Sequence, residues 1–206
     1  MYHPVRDEGW TLWDACKGIG CGEFTLAAVE GAVWDSEMTP WPAPPAAGRK
    51  EPFPGGADVY IAELTEEIIP AVCKALPSEP ERKIIAGYSL AGLFSLYCVH
   101  RTDVFSAAVS ASGSLWYPGF TEFMRTNGIS DRTESVYLSL GDRESRTKDP
   151  VLSRVEEKTA EAEKILRSEG VDTIFELNPG GHFRDAVLRT AKGIKWVLEK
   201  DPDKKK

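Results

Sequence analysis

A short apolar run, Lys83–Ala86, meets an apolar helical pattern beginning at Leu90, with only Gly87-Tyr88-Ser89 between them. A join this tight brings strand and helix backbones nearly into contact. It therefore demands small residues two places either side of the apex, and it leaves the apical side chain facing outward. Gly87 and Ala91 meet that demand around Ser89. The usual pattern has glycine where this chain has Ala91, with Gly92 one place later. That position is already helical, so alanine needs no forbidden dihedral there. Backbone strain at the apex, about 1–3 kcal/mol, persists only where something enforces it, and a nucleophile elbow is one such case. The bland alternative is an ordinary Gly-Tyr-Ser turn feeding a helix, so the rest of the chain has to decide.

A chain of 206 residues is long enough for one domain with a substantial core. One domain over residues 1–200 is expected, with 201–206, ending Lys204-Lys205-Lys206, as a charged, frayed tail. The net charge of −7 argues against a nucleic acid or an anionic membrane as partner, since either needs a basic face. No apolar run approaches the ~20 residues of a membrane span. The first residues also lack the basic and apolar regions of a secretion signal, so a cytoplasmic location is expected. Cys16, Cys21, Cys73 and Cys98 are too few and scattered for a disulfide framework, and they form no C-x-x-C pair for zinc.

Runs rich in β-branched or aromatic residues occur at Phe24–Val29, Lys83–Ala86, Val104–Val109, Ser135–Leu140 and Thr173–Leu177. They alternate with stretches of helical spacing at Glu8–Lys17, Asp58–Leu76, Leu90–His100, Pro150–Ser168 and Phe183–Glu199. Alternation of this kind predicts an α/β fold, a mostly parallel sheet covered by helices on both faces. Counting Met1–His3 as the end of a further strand gives about six strands. The proline-rich stretch from Thr39 to Gly56 reads as a loop draped over a site.

A serine nucleophile needs a base, and the chain offers three histidines. His100 sits eleven residues along the helix that starts at the elbow, roughly 16 Å away at 1.5 Å per residue, and cannot reach. His3, beside Pro4, reads as a strand-end or surface residue. His182 follows the turn Asn178-Pro179-Gly180-Gly181 after the last expected strand, where a catalytic histidine would stand. The acid should lie on a strand-end loop between serine and histidine, and Gly141-Asp142-Arg143-Glu144 follows the fourth of the runs named above. Asp142 and Glu144 compete. Glu144, three places past the turn glycine, reaches further round the loop and is preferred. The backbone N–H of Leu90 is the expected first donor to an oxyanion, with Val5 or Arg6 as the source of a second.

Four segments together, Gly87–Gly92, Ser112-Gly113-Ser114-Leu115-Trp116-Tyr117, Gly141–Glu144 and Gly180-Gly181-His182, resemble the esterase family of α/β-hydrolases that includes esterase D-like and enterochelin esterase-like enzymes. The likeness runs from about Trp34 to Trp196. It implies a minimal α/β-hydrolase without a cap domain, with Ser89 as nucleophile, His182 as base and a small carboxylic ester as substrate. Trp34, Trp41 and Trp116 stand on strand-end loops and are expected to wall the substrate site, although aromatics fill cores as readily as pockets. Thioester hydrolysis or acyl transfer would use the same triad, and a silent binding module is the reading from outside enzymology. No cofactor or metal is expected: Gly18-Ile19-Gly20-Cys21-Gly22 follows a helix and precedes a strand, the reverse of a dinucleotide fingerprint. Self-association is left open.

Overall fold

Parallel strands that pair in chain order, joined by right-handed crossovers, put every crossover helix on the same face. The protein does this with the helices at Leu90–Arg101, Phe120–Asn127 and Val155–Ser168. The structure, a computed structural model, describes residues 1–3 and 8–200. Its strands are β1 (Tyr2–His3), β2 (Ile84–Tyr88), β3 (Ala107–Ala111), β4 (Ser135–Gly141) and β5 (Asp172–Asn178), all parallel, in the order β1-β2-β3-β4-β5. The helices are α1 (Glu8–Gly18), α2 (Trp34–Glu37), α3 (Ala57–Glu63), α4 (Ile69–Ala75), α5 (Leu90–Arg101), α6 (Phe120–Asn127), α7 (Val155–Ser168) and α8 (Ala186–Glu199).

The crossovers α5, α6 and α7 share one core with α3 and α4, while the opposite face is closed by α1, from the connection between β1 and β2, and by α8, which follows β5. Side chains of successive strand residues point to opposite faces, and the two cores divide accordingly. Ile85, Ala108, Val136 and Leu138 face the first core, whereas Ala86, Ala107, Val109 and Tyr137 face the second. Strands buried on both sides need continuous apolar runs, which is how β2–β4 read in the sequence.

The expectation of about six strands is corrected to five. Phe24–Val29 forms only one bridge, Ala28 to Tyr2, through Tyr2 N–H to Ala27 O at 2.9 Å and Val29 N–H to Tyr2 O at 2.9 Å. Among the described residues, Tyr2 is the member of β1 that meets this run. The helix expected over Asp58–Leu76 is present but widens to a π turn at Leu64–Ile68. Pro70 supplies no N–H for Glu66 O, and Ile69 N–H bonds instead to Leu64 O, five residues back. Helix α6 was not read from the sequence. The proline-rich loop is pinned by an antiparallel bridge between Ala43 and Phe53. Val5, Arg6 and the lysine tail lie outside the described residues.

The loops that leave the carboxyl ends of β2, β3, β4 and β5 begin at Ser89, Ser112, Asp142 and Pro179. They meet at one end of the sheet, where open α/β sheets place their chemistry. A cavity of about 310 Å³ lies at the other end, between Phe24, Ile69, Val72, Cys73, Phe105 and Leu198, and neither Ser89 nor His182 lines it. Among the described residues, no helix is long and apolar enough to cross a membrane.

Helix α8 approaches the sheet through Gly193, where an added Cβ would sit 2.4 Å from Val109 Cγ1 and 2.6 Å from Tyr137 Cδ1. Gly193→Ala should therefore lower stability by about 1–3 kcal/mol, the usual cost of overpacking. Urea or thermal melts check this, and a variant as stable as the parent would contradict so close an approach.

Candidate active site

Ser89 ends β2 and caps α5 with φ 60° and ψ −121°, a left-handed conformation rare for a residue with a side chain. Three backbone hydrogen bonds hold it there: Ser89 N–H donates to Ala111 O at 3.1 Å, and Ser89 O accepts from Leu93 N–H at 3.1 Å and Ser114 N–H at 3.0 Å. Glycine at 87 is obligatory for the same turn, because a Cβ there would stand 2.1 Å from the carbonyl oxygen of Ala91. The Leu90 N–H opens α5, where the first amides of a helix have no intrahelical partner.

The structure brings Ser89, His182 and Glu144 into one line of hydrogen bonds. His182 Nε2 lies 3.0 Å from Ser89 Oγ, and Nδ1 lies 2.7 Å from Glu144 Oε2. The histidine side chain is 31% exposed and the glutamate 4%, so the imidazole faces the entrance and the acid stands behind it. Asp142 serves elsewhere. Its carboxylate accepts from Gly180 N–H at 2.8 Å, and with Arg143 N–H to Gly180 O at 3.1 Å it ties the β4 loop to the histidine turn. His100 is bonded to the carbonyl of Gly128, away from the other three.

Glu144 is surrounded by donors. Its Oε1 accepts from Gly141 N–H at 2.6 Å, Ser112 Oγ at 2.8 Å and Arg189 Nη1 at 2.9 Å. Burial alone would push the carboxyl up, but the hydrogen bonds of His182, Gly141 and Ser112 outweigh it and hold the group below its ordinary value. Arg189 and Tyr88 are the parts of this site that the sequence reading missed. The Arg189 side chain is only 1% exposed and also donates to Pro179 O at 3.2 Å and Gly181 O at 3.1 Å. Burial pushes the Tyr88 phenol up, so it stays protonated and donates to the carbonyl of His182. One signal was available: Arg189 falls on the buried stripe of α8 with Gly193, Ile194 and Val197, where a solvated cation does not belong.

The three tryptophans are each partly buried. Trp41 gives its indole N–H to Pro118 O at 3.0 Å and packs among Tyr97, Tyr117 and Phe123. Trp116 stacks at a tilt on Phe53, and Trp34 lies against the same core. Phe183 is different: it is 93% exposed, and its ring meets the His182 ring edge-on at 5.1 Å.

Residues 30–186 match the family described as Putative esterase. The chain belongs to that family. Two curated relatives from Bacillus subtilis place this esterase-family chain among longer proteins. It is 28% identical over 151 residues to the uncharacterized protein YbbA, covering 72% of this chain and 60% of that one. It is 24% identical over 165 residues to the ferri-bacillibactin esterase BesA, covering 75% and 56%. The chain thus spans somewhat over half the length of these relatives. Among solved structures, an IroE-like serine hydrolase from Shewanella oneidensis superposes with a TM-score of 0.76 over 96% of this chain and 69% of that one, at 16% identity, which shows a shared fold.

A carboxyl held low in the folded state adds stability above its ordinary value of 4.5, and the contribution drains away as pH falls below that value. Urea melts of the parent and Glu144→Gln should differ most at neutral pH and converge in acid. A gap that widens on acidification would contradict the assignment of these contacts.

Proposed function

We propose that the protein is a serine hydrolase that cleaves carboxylic esters through an acyl-enzyme on Ser89. The observation that carries this reading is the unbroken line from Ser89 Oγ through both ring nitrogens of His182 to a buried, ionised Glu144. His182 Nε2 takes the hydroxyl proton as Oγ attacks the ester carbonyl, and Glu144 fixes the tautomer with hydrogen on Nδ1 and stabilises the imidazolium. Negative charge developing on the carbonyl oxygen meets the Leu90 N–H and the positive end of α5. The tetrahedral adduct collapses as the imidazolium returns its proton to the departing alcohol. Water, deprotonated by the same nitrogen, then releases the acid.

The name of the B. subtilis relative BesA, a ferri-bacillibactin esterase, supports ester cleavage as the reaction type. Phe183 beside the histidine favours an apolar or aromatic group at the mouth of the site, with Trp116, Trp41 and Trp34 as the more distant wall. Small aryl esters are thus the substrates of first choice.

Hydrolysis of p-nitrophenyl acetate and butyrate is the direct test. Ser89→Ala and His182→Ala should each lower kcat by at least about 10³-fold. A fluorophosphonate should label the parent at Ser89, as read by peptide mass spectrometry. Equal rates in the parent and Ser89→Ala would sink the proposal. Between the two acids, Glu144→Gln should cost far more activity than Asp142→Asn.

A further inference from the structure

A charge removed from water is a poor way to stabilise a fold, because an apolar side chain of similar size in the same place is often neutral or better. Arg189 is such a charge. It is 1% exposed, and one of its donors, Nε, is buried with no hydrogen-bond partner, so its place is not explained by a fully satisfied core. What its fork touches does explain it. Nη1 donates to Glu144 Oε1 at 2.9 Å and Ser112 Oγ at 3.0 Å, with Tyr88 Oη at 3.4 Å, while Nη2 donates to Pro179 O at 3.2 Å and Gly181 O at 3.1 Å. Gly141 is a glycine for the same reason: a Cβ there would stand 2.9 Å from Nη2 and 2.2 Å from Gly180 O. One planar group thus touches the ends of β2, β3 and β4, the acid, and the turn that carries the histidine.

We infer that Arg189 is a positioning residue for the relay, its two-sided fork fixing Glu144 and the 179–181 turn so that His182 Nε2 stays aimed at Ser89. The inference rests on the esterase reading above. A flexible cation would not serve: the fork is planar and its two nitrogens grip different loops, which a lysine ammonium cannot do.

Charge supplies a second consequence. The ionisable or charged groups facing the imidazole and its acid are Glu144 from the β4 loop, Tyr88 from β2 and Arg189 from α8. Asp142 and Arg143 bond the neighbouring Gly180, and Arg184 packs against it. With Arg189 present, Glu144 is compensated before the imidazolium forms. Without it, the carboxylate keeps its Gly141 and Ser112 donors but loses its cationic partner, and it draws positive charge onto the imidazole more strongly. The acid limb of the rate profile should then move to higher pH.

The test uses the full chain with Arg189→Met, Arg189→Lys, Glu144→Gln and the Arg189→Met/Glu144→Gln double variant, each first checked for native circular dichroism. Kinetics of p-nitrophenyl butyrate hydrolysis are followed from about pH 5 to 9. Arg189→Met should lose about 10- to 100-fold in kcat, with KM nearly unchanged and the acid limb displaced upward. Arg189→Lys should lower kcat by about tenfold while leaving the limb in place, because it keeps the charge and loses the fork. In the Glu144→Gln background, Arg189→Met should cost little more, because the two act together. Parental kcat and an unmoved limb in a folded Arg189→Met, or equal losses in both backgrounds, would overturn the inference. Should Arg189→Met not fold, Arg189→Lys decides alone, and parental kcat there overturns it. A parent that neither hydrolyses the ester nor takes the fluorophosphonate label removes the esterase reading and this inference together, whereas a labelled, active parent with unaffected arginine variants removes the inference only.

Discussion

Glu144 carries a charge almost entirely out of water, and such a charge persists only if donors replace its hydration. Four donors do so here: the imidazole of His182, the Gly141 N–H, the Ser112 hydroxyl and the Arg189 guanidinium. Each comes from a different part of the chain. To satisfy this one carboxylate, the ends of β3 and β4, the turn after β5 and the first half of α8 have to converge, so the demands of one ion fix the relative positions of most of the loops at this end of the sheet. The same convergence puts the imidazole between acid and serine. Stability of the ion and orientation of the imidazole are thus met by one set of contacts.

The sheet contributes the remaining precision through backbone rather than side chains. Parallel strands in chain order place their carboxyl ends side by side, so loops distant in sequence become neighbours in space. The elbow at Ser89 exploits this. Its left-handed backbone is held by hydrogen bonds to Ala111 and Ser114, which belong to the adjacent strand end. Strain at the serine is therefore opposed by the sheet itself, and glycine at 87 lets the helix start close enough for the turn to close.

Much of this was legible in the sequence, for identifiable reasons. Strands buried on both faces leave continuous apolar runs, and β2 and β4 were found where such runs stand. The tight join at Ser89 is visible because few residue types fit it. Position round a turn was enough to favour Glu144 over Asp142 as the acid that meets the imidazole, and the structure has Glu144 there while Asp142 bonds Gly180. What the pattern hid depends on partners that a single segment does not announce. Phe24–Val29 has the composition of a strand, yet among the described residues it pairs at one bridge, to Tyr2. Arg189 does not stand out in the sequence until the other members of its stripe are known to be buried. Trp41 gives no hint in the sequence that its N–H bonds the Pro118 carbonyl.

The closing of the second face by α1 and α8 has a temporal consequence. A ribosome delivers β2 and its elbow, then β3 and the β4 loop, well before the histidine turn and the last helix. Until α8 docks on the sheet beside α1, one side of the strands lacks its cover, the guanidinium is absent from beneath the acid, and the imidazole has no fixed perch. Alignment of the imidazole with Ser89 and Glu144 is thereby tied to the docking of α8, which reaches the sheet after the elbow and the β4 loop have left the ribosome.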